Sequence, residues 1–212
     1  MSQDNTKINL QSNTADDFTI LPMDNFYKDL TEEQLANVAS YNFDIPAALD
    51  FDEMFVALNG LLNYQDVEIP TYSFSTNSRL EEKTLIKKSH FILFEGILAL
   101  YDARIREMMD FKIYVNEDAD VRLLRRIKRD ISERGRSIKS VLNQWYLTVK
   151  PSYDEFVAPT LKKADIIVNG NPENWKAINF IVSNLKTILQ RYKSIDVDNH
   201  KSDKDDKEQK EE

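Results

Sequence analysis

This chain of 212 residues contains no cysteine, few glycines and no long apolar run. The lack of cysteine excludes disulfides, zinc-thiolate sites and thiol catalysis, and it fits a reducing compartment. No apolar run approaches the roughly 20 residues of a membrane span, and residues 1–17 lack the apolar core of a signal peptide. We therefore expect a cytoplasmic protein that contacts no membrane. A net charge of −8 argues against a protein that coats nucleic acid.

The scarcity of glycine excludes one particular motif. The four glycines, Gly60, Gly96, Gly135 and Gly170, lie far apart, and none is followed by Lys-Ser or Lys-Thr. A P-loop has the pattern G-x-x-x-x-G-K-[ST], because its glycines let backbone N–H groups surround the phosphates of a nucleotide. The 212 residues therefore contain no P-loop with which to hold ATP.

Residues 18–193 predict one α/β domain, because short apolar segments alternate with helical patterns, as in a mainly parallel sheet. The predicted strands are Phe18–Leu21, Phe91–Phe94, Lys112–Val115 and Asp165–Val168. The predicted helices are Thr31–Ala39, Asp52–Leu62, Asp120–Arg134, Ile138–Thr148 and Glu173–Tyr192. The last helix has Asn171 as its predicted N-cap and an apolar stripe that begins at Trp175. Residues 1–17 and 194–212 are polar or of mixed charge, so we predict a disordered arm and a charged disordered tail.

Acidic residues follow two of the predicted strands. Glu95 comes directly after one of them, and Asp24 lies three residues beyond the end of another. In open parallel sheets, ligands bind at the carboxyl ends of the strands. Glu95 can there orient a metal-bound water, and Asp24 can accept the proton of a hydroxyl that attacks phosphorus. Two alternatives stay open: Glu95 can be an idle, solvated acid, and Asp24 can cap the next helix.

The segment from Asp120 to Arg136 is strongly basic. It carries seven basic residues against two acids after Asp120, and Arg122, Arg126 and Arg129 share one helical face. Guanidinium groups at this density suit bidentate contacts to phosphate, and Gly135 can let the arginines around it close over a ligand. A solvated basic helix is the alternative.

Two further segments have the composition of pocket loops. Residues 41–46 and 70–79 mix aromatic side chains, short polar side chains and proline without helical or strand periodicity. Such loops often hold flat polar ligands. The alternative is that their aromatic side chains only anchor each loop to the core.

Taken together, these residues closely resemble uridine kinases, also called uridine-cytidine kinases, from Asp24 to about Leu189. Seven segments occur in the family's order and spacing: Asp-Asn-Phe-Tyr, Tyr-Asn-Phe-Asp-x-Pro, Pro-Thr-Tyr-Ser-Phe, Phe-Glu-Gly-Ile, Asp-Val-Arg-Leu-Leu-Arg-Arg, Glu-Arg-Gly-Arg and Val-Lys-Pro-Ser-Tyr-Asp-Glu-Phe. The resemblance implies a parallel sheet of the P-loop nucleoside-kinase type with helices on both faces. It also implies transfer of the γ-phosphoryl of ATP or GTP to the 5′-hydroxyl of uridine or cytidine, in pyrimidine salvage. A homo-oligomer is a further expectation.

The resemblance implies roles for individual residues. Asp24 matches the base that takes the 5′-hydroxyl proton beside Mg²⁺, and Glu95 matches the acid near the metal. Contacts to the nucleoside are implied for Tyr27, Phe43, Asp44, Tyr72, Phe74, Asn77, Arg126 and Gln144, with Asp44 on the ribose hydroxyls and the aromatic groups around the pyrimidine. Contacts to the phosphates or the nucleotide are implied for Arg129, Arg134, Arg136 and Glu173.

Three departures from the family pattern bear on function. Asn77 stands where the family usually has the histidine that reads the pyrimidine edge, and Glu173 stands where it has aspartate. The family's first, central strand and its P-loop have no counterpart before Phe18, so we expect this chain to be impaired as a kinase. Three interpretations follow: a uridine kinase whose beginning is missing, a short relative that binds nucleosides or a partner without catalysis, or a basic interaction protein on a kinase scaffold.

Overall fold

The computed structural model of the chain describes residues 18–171 and 173–208, so the predicted arm, residues 1–17, lies outside it. In that part of the chain the strands are β1 (Phe18–Pro22), β2 (Val67–Ser73), β3 (Ser78–Ile86), β4 (Phe91–Glu95), β5 (Ile113–Asn116) and β6 (Ile166–Asn169). The α-helices are α1 (Glu32–Ala36), α2 (Phe51–Leu62), α3 (Ala103–Glu107), α4 (Ala119–Ser132), α5 (Ile138–Gln144), α6 (Lys150–Ser152) and α7 (Trp175–Glu208). Short 3₁₀ helices cover Met23–Phe26, Val38–Ser40, Pro46–Ala48 and Ala158–Lys163, and π-helical turns cover Trp145–Val149 and Tyr153–Val157.

The four apolar segments predicted as strands are confirmed, and they form two parallel pairs. β1 pairs with β4 in a register that sets Phe18 opposite Phe91 and Pro22 opposite Glu95. β5 pairs with β6, and the bonded residues ascend together along both strands: Ile166 N donates to Lys112 O, and Gly170 N donates to Asn116 O. Within the described residues, β4 and β5 are not paired with each other. That a central strand is missing between them remains a prediction.

The segment from Pro70 to Arg79, predicted as a loop, instead forms the turn end of a β-hairpin. β2 and β3 pair antiparallel and are joined by a tight turn after Ser73. Proline removes a ladder donor and is tolerated at bulges, and the register of this hairpin shifts between Pro70 and Tyr72. The mixture of proline and short polar side chains conceals the strand pattern, which is why the periodicity failed here.

One hydrophobic cluster packs β1, the hairpin and α2 together. Met54, Ala57, Leu58 and Leu61 recur at helical spacing and form the buried face of α2. Leu21, Met23, Phe26, Leu49, Ile69, Leu98 and Ile105 are fully buried in the same cluster. The other face of the β1–β4 pair carries Phe18, Ile20 and Leu93. Their side chains are 43–47% exposed when only the described residues are considered.

The described chain consists of two compact units. The first contains residues up to Tyr114 together with Asp118–Ile167, and the second contains Val115–Glu117 together with the residues from Val168 onward. α7 begins at Trp175, later than predicted. The predicted N-cap, Asn171, lies in the turn before the helix, where its side chain accepts a hydrogen bond from Glu173 N. The predicted apolar stripe of this helix begins at Trp175, whose side chain is 57% exposed.

The extent of α7 bears on the predicted C-terminal tail. The helix continues to Glu208, past residue 194, where the sequence predicts a disordered tail. Disorder of that tail in solution remains a prediction, and residues 209–212 lie outside the described part. No helix among residues 18–171 and 173–208 is long and apolar enough to cross a membrane.

Gly96, directly after β4, provides a test of how tightly the core fits around β1. A Cβ atom at this position would overlap the fully buried Met23 side chain. We expect Gly96→Ala to lower the free energy of unfolding by about 1–3 kcal/mol, since overpacking a dense core forces its neighbours apart. Chemical denaturation measures the loss.

Gly135→Ala is the matched control for that substitution. Gly135 has open space around it and a φ of 61°, so only the left-handed backbone opposes the new methyl group. Gly135→Ala should lower the free energy of unfolding by less than Gly96→Ala does. Equal stability of Gly96→Ala and the wild-type chain would contradict the packing described here.

Candidate active site

Asp24 and Glu95 lie at the same edge of the β1–β4 pair. Glu95 is opposite Pro22, and Asp24 follows two residues later in the 3₁₀ turn Met23–Phe26. Met23 and Phe26 are fully buried on either side of Asp24, and this burial fixes the turn. The alternative that Asp24 caps the next helix is wrong, because Thr31 caps α1 in a capping box with Gln34.

The carboxyl groups of Asp24 and Glu95 are close enough to influence each other. Desolvation by the surrounding protein raises the pKa of Asp24, while the charges of Arg134 and Arg129 oppose the rise. Partial burial raises the pKa of Glu95, and the negative charge of Asp24 raises it further. The described residues contain no cluster of three or more acidic or histidine side chains with metal-site spacing. Mg²⁺ commonly takes one or two carboxylates together with substrate phosphates, so the donor set of this pair suits that ion.

Aromatic side chains form a cluster beside Asp24. Tyr27 lies at its centre, with ring centroids 5.9 Å from Phe43, 5.2 Å from Tyr72 and 6.1 Å from Phe74. Tyr72 is buried and its hydroxyl has no hydrogen-bond partner. Burial raises the pKa of Tyr72 to about 12. A buried hydroxyl without a partner carries an energetic cost that a bound polar group can remove.

Hydrogen bonds from two chain segments hold Tyr27 and its turn in place. Arg79 Nε donates to Tyr27 O at 2.8 Å, and Asn25 Nδ2 donates to Pro70 O at 2.9 Å. Both contacts join the hairpin to the turn that carries Asp24. On the other side, Asp50 N donates to Phe26 O at 2.9 Å, which ties the start of α2 to the same turn.

Asp44 lies in a loop, as predicted for residues 41–46. Its amide donates to Asn42 Oδ1 at 3.0 Å, and Asn42 Nδ2 donates to Ser152 Oγ at 2.9 Å, so Asn42 ties the loop to α6. Burial raises the pKa of Asp44, with Asp24 adding to the rise and Arg126 and Arg129 opposing it. The predicted ribose-side acid is therefore within electrostatic reach of both the predicted base and two of the predicted cations.

Four of the predicted arginines gather around one acid that the sequence analysis did not single out. Asp130 is fully buried, and the guanidinium groups of Arg126, Arg129, Arg134 and Arg136 lie within 4 Å of its carboxylate. A signal existed in the sequence, since Asp130 is four residues after Arg126 and four before Arg134. In the linear pattern this residue is only a negative charge that partly offsets the basic segment.

The remaining predicted site residues lie in several places, and their roles stay predictions. Gln144 Oε1 accepts from Arg126 Nη2 and Arg136 Nη1, both at 3.0 Å. Asn77 ends the hairpin turn with a φ of 53°, a left-handed conformation that asparagine tolerates better than most residues. Glu173 belongs to the second unit and is exposed. Arg122, predicted on the cationic face, stacks its guanidinium 3.6 Å from the Tyr153 ring centroid.

Comparison with known proteins identifies the family of this chain. The chain matches the family model for the phosphoribulokinase / uridine kinase family over residues 3–177. It is 46% identical over 176 residues to uridine-cytidine kinase B of Dictyostelium discoideum, covering 83% of this chain and 72% of that protein. It is 41% identical over 177 residues to a uridine kinase of Clostridium perfringens, covering 84% of this chain and 85% of that protein.

A solved structure supports the fold at lower identity. Phosphoribulokinase from Rhodobacter spheroides superposes with a TM-score of 0.58 and 16% identity, over 72% of this chain and 60% of that one. The parallel strand pairs and the helices between them agree with the fold of P-loop kinases. The chain belongs to the phosphoribulokinase and uridine kinase family.

The raised pKa of Asp44 predicts that this side chain destabilises the fold near neutral pH. A carboxyl whose pKa is raised by folding from its ordinary value of 3.8 binds more protons folded than unfolded, so its penalty appears as the pH rises through that range. Asp44→Asn should therefore be more stable than the wild-type chain at pH 7, by less than about 1 kcal/mol because the side chain is only half-buried. The gain should vanish in acid.

Thermal unfolding at several pH values measures this difference. Asp110→Asn, at an exposed site, is the control and should show no such gain. A loss of stability in Asp44→Asn of the same size at every pH would contradict the electrostatic explanation.

Proposed function

We propose that this chain binds uridine or cytidine in the aromatic cluster around Tyr27. The observation that carries the proposal is the buried Tyr72 hydroxyl, which lacks a partner within a cluster flanked by Asp24 and Asp44. A pyrimidine offers a flat ring for the aromatic side chains and polar edges for the hydroxyl. Two relatives are named uridine-cytidine kinase and uridine kinase, which supports the choice of ligand.

We further propose how the site's residues would serve transfer of a γ-phosphoryl group from ATP or GTP to the 5′-hydroxyl. Asp24 accepts the hydroxyl proton, and its raised pKa makes it a stronger base than an ordinary aspartate. Asp44 accepts hydrogen bonds from the ribose hydroxyls. Arg126 assists on the sugar side, since its Nε is buried without a hydrogen-bond partner.

The other predicted residues complete the proposed site. Phe43 and Phe74 enclose the pyrimidine, Asn77 reads its edge, and Gln144 supports the substrate through the arginines that it accepts from. Arg129, Arg134 and Arg136 neutralise the phosphates. A nucleotide contact for Glu173 rests on the resemblance alone. Glu95 and Asp24 would hold Mg²⁺, which supplies positive charge for the transferring phosphoryl group. We place this activity in cytoplasmic pyrimidine salvage.

A second function is favoured by one observation from the sequence. The 212 residues contain no G-x-x-x-x-G-K-[ST] pattern, and in P-loop enzymes that loop supplies the backbone cradle and the lysine for the β- and γ-phosphates. A nucleoside-binding or regulatory partner without catalysis is therefore the alternative. A kinase and a nucleoside-binding module both predict nucleoside binding, and turnover separates these two.

The nucleoside site is tested by removing hydroxyls from the ligand. Uridine should bind more tightly than 2′,3′-dideoxyuridine by about 1–3 kcal/mol, because Asp44 loses its donors in the analogue. Asp44→Asn should weaken uridine binding and leave the dideoxy analogue nearly unaffected. Calorimetry measures all four affinities. Equal affinity of the wild-type chain for the two ligands would contradict the proposed role of Asp44.

Turnover is tested with purified chain, uridine, ATP and Mg²⁺. We expect a rate far below the roughly 1–100 s⁻¹ of ordinary kinases, since the loss of a single preorganised donor costs about 10²–10³ in other enzymes. Any residual rate should fall further in Asp24→Asn. Nucleoside binding without turnover would favour the binding module, and an ordinary rate would mean that other groups hold the donor phosphates.

A further inference from the structure

The Asp130 carboxylate is the point on which the four arginines converge. Arg129 donates from Nε to Oδ1 at 2.9 Å, and its Nη2 also lies 2.9 Å from that oxygen. Arg136 Nη1 lies 3.2 Å from the second oxygen, Oδ2. Arg126 Nε and Arg134 Nη1 are each 3.7 Å away, one from each carboxylate oxygen. Both oxygens of this single acid are therefore engaged by arginines.

Asp130 also fixes the backbone of the segment that carries these arginines. Its carbonyl accepts from Arg136 N at 3.0 Å, which closes a turn across Gly135, where φ is 61°. α4 ends at Ser132, so this contact holds a segment that has already left the helix. Side-chain and main-chain atoms of one residue thus set the direction in which Arg136 points.

The charge of Asp130 is too small to neutralise the cluster. One carboxylate among four guanidinium groups leaves a net charge of three positive units, assuming each arginine is charged. Burial alone would raise the pKa of Asp130, but the hydrogen bond from Arg129 and the charges of Arg129, Arg126 and Arg136 hold it below its ordinary value. Asp130 therefore stays ionised while the cluster keeps its attraction for anions.

The cluster faces the proposed reaction site. The charges of Arg129 and Arg134 act on Asp24, and those of Arg126 and Arg129 act on Asp44. The guanidinium carbon of Arg134 lies 5.9 Å from the centroid of the Phe74 ring, in the aromatic cluster. An acid that only balanced surface charge would not be fully buried between cations aimed at the same place.

We propose that Asp130 is a positioning residue that orients Arg126, Arg129, Arg134 and Arg136 for the phosphates of a bound nucleotide. This inference rests on the proposed nucleotide site. It makes a prediction opposite to that of simple charge attraction, because removal of the carboxylate adds one unit of positive charge to the cluster. Attraction alone predicts tighter binding of phosphates by Asp130→Asn, whereas positioning predicts weaker binding.

The test compares uridine 5′-diphosphate with uridine on the full chain by calorimetry. In Asp130→Asn the ratio of the two affinities should fall at least tenfold, since the guanidinium groups lose their common anchor. Glu133→Gln is the control: it removes one negative charge from the same segment at an exposed position, and should leave the ratio unchanged or slightly raised. General damage to the fold would weaken both ligands and leave the ratio alone.

An unchanged or higher ratio in Asp130→Asn would overturn the proposal. If Asp130→Asn does not fold, Asp130→Glu takes its place, because one added methylene displaces the carboxylate while keeping its charge. A ratio equal to that of the wild-type chain in Asp130→Glu would also overturn the proposal. If the wild-type chain binds neither ligand, the proposed function fails separately. In that case, NMR of the Arg129 Nε–H proton tests the positioning role separately. This proton should exchange slowly with water in the wild-type chain and rapidly in Asp130→Asn, and equal exchange rates would overturn the positioning role.

Discussion

The buried turn after β1 is the constraint on which the site depends. Met23 and Phe26 have no exposed surface, so the chain between them must bring Asp24 to the strand edge and start Tyr27 in a fixed direction. The hairpin, α2 and Gly96 all meet this turn through hydrogen bonds or close contact. Hydrophobic burial at two positions thereby organises polar groups from segments far apart in sequence.

The site brings acidic and basic side chains close together in a partly desolvated environment. Asp24 and Asp44 have raised pKa values because the surrounding protein desolvates them, and neighbouring arginines only partly compensate. Sites that bind ligands commonly hold such groups at some cost to stability, and a ligand or a metal ion then relieves that cost. Asp130 contributes the converse arrangement, in which a buried acid holds cations that would otherwise repel one another.

The sequence predicted the fold best where one physical signal dominated. The strands that begin at Phe18 and Phe91 were found to within one residue, because a short, continuous apolar run between polar segments is typical of a strand in a parallel sheet. The hairpin was missed, since Pro70 and the polar turn conceal its alternation. The candidate site residues were predicted from seven ordered segments that resemble uridine kinases. Asp130 was missed because its importance lies in how many side chains converge on it, which a linear pattern does not display.

Amide hydrogen exchange of residues 23–28, with and without uridine, tests the central claim most directly. If the buried turn organises the site, these amides should exchange slowly in the free chain, at rates close to those of the paired strands β1 and β4. Added uridine should slow them further, because the ligand would pack against Tyr27. Rapid exchange typical of an exposed loop, unchanged by uridine, would contradict both the anchoring of the turn and its place in a nucleoside site.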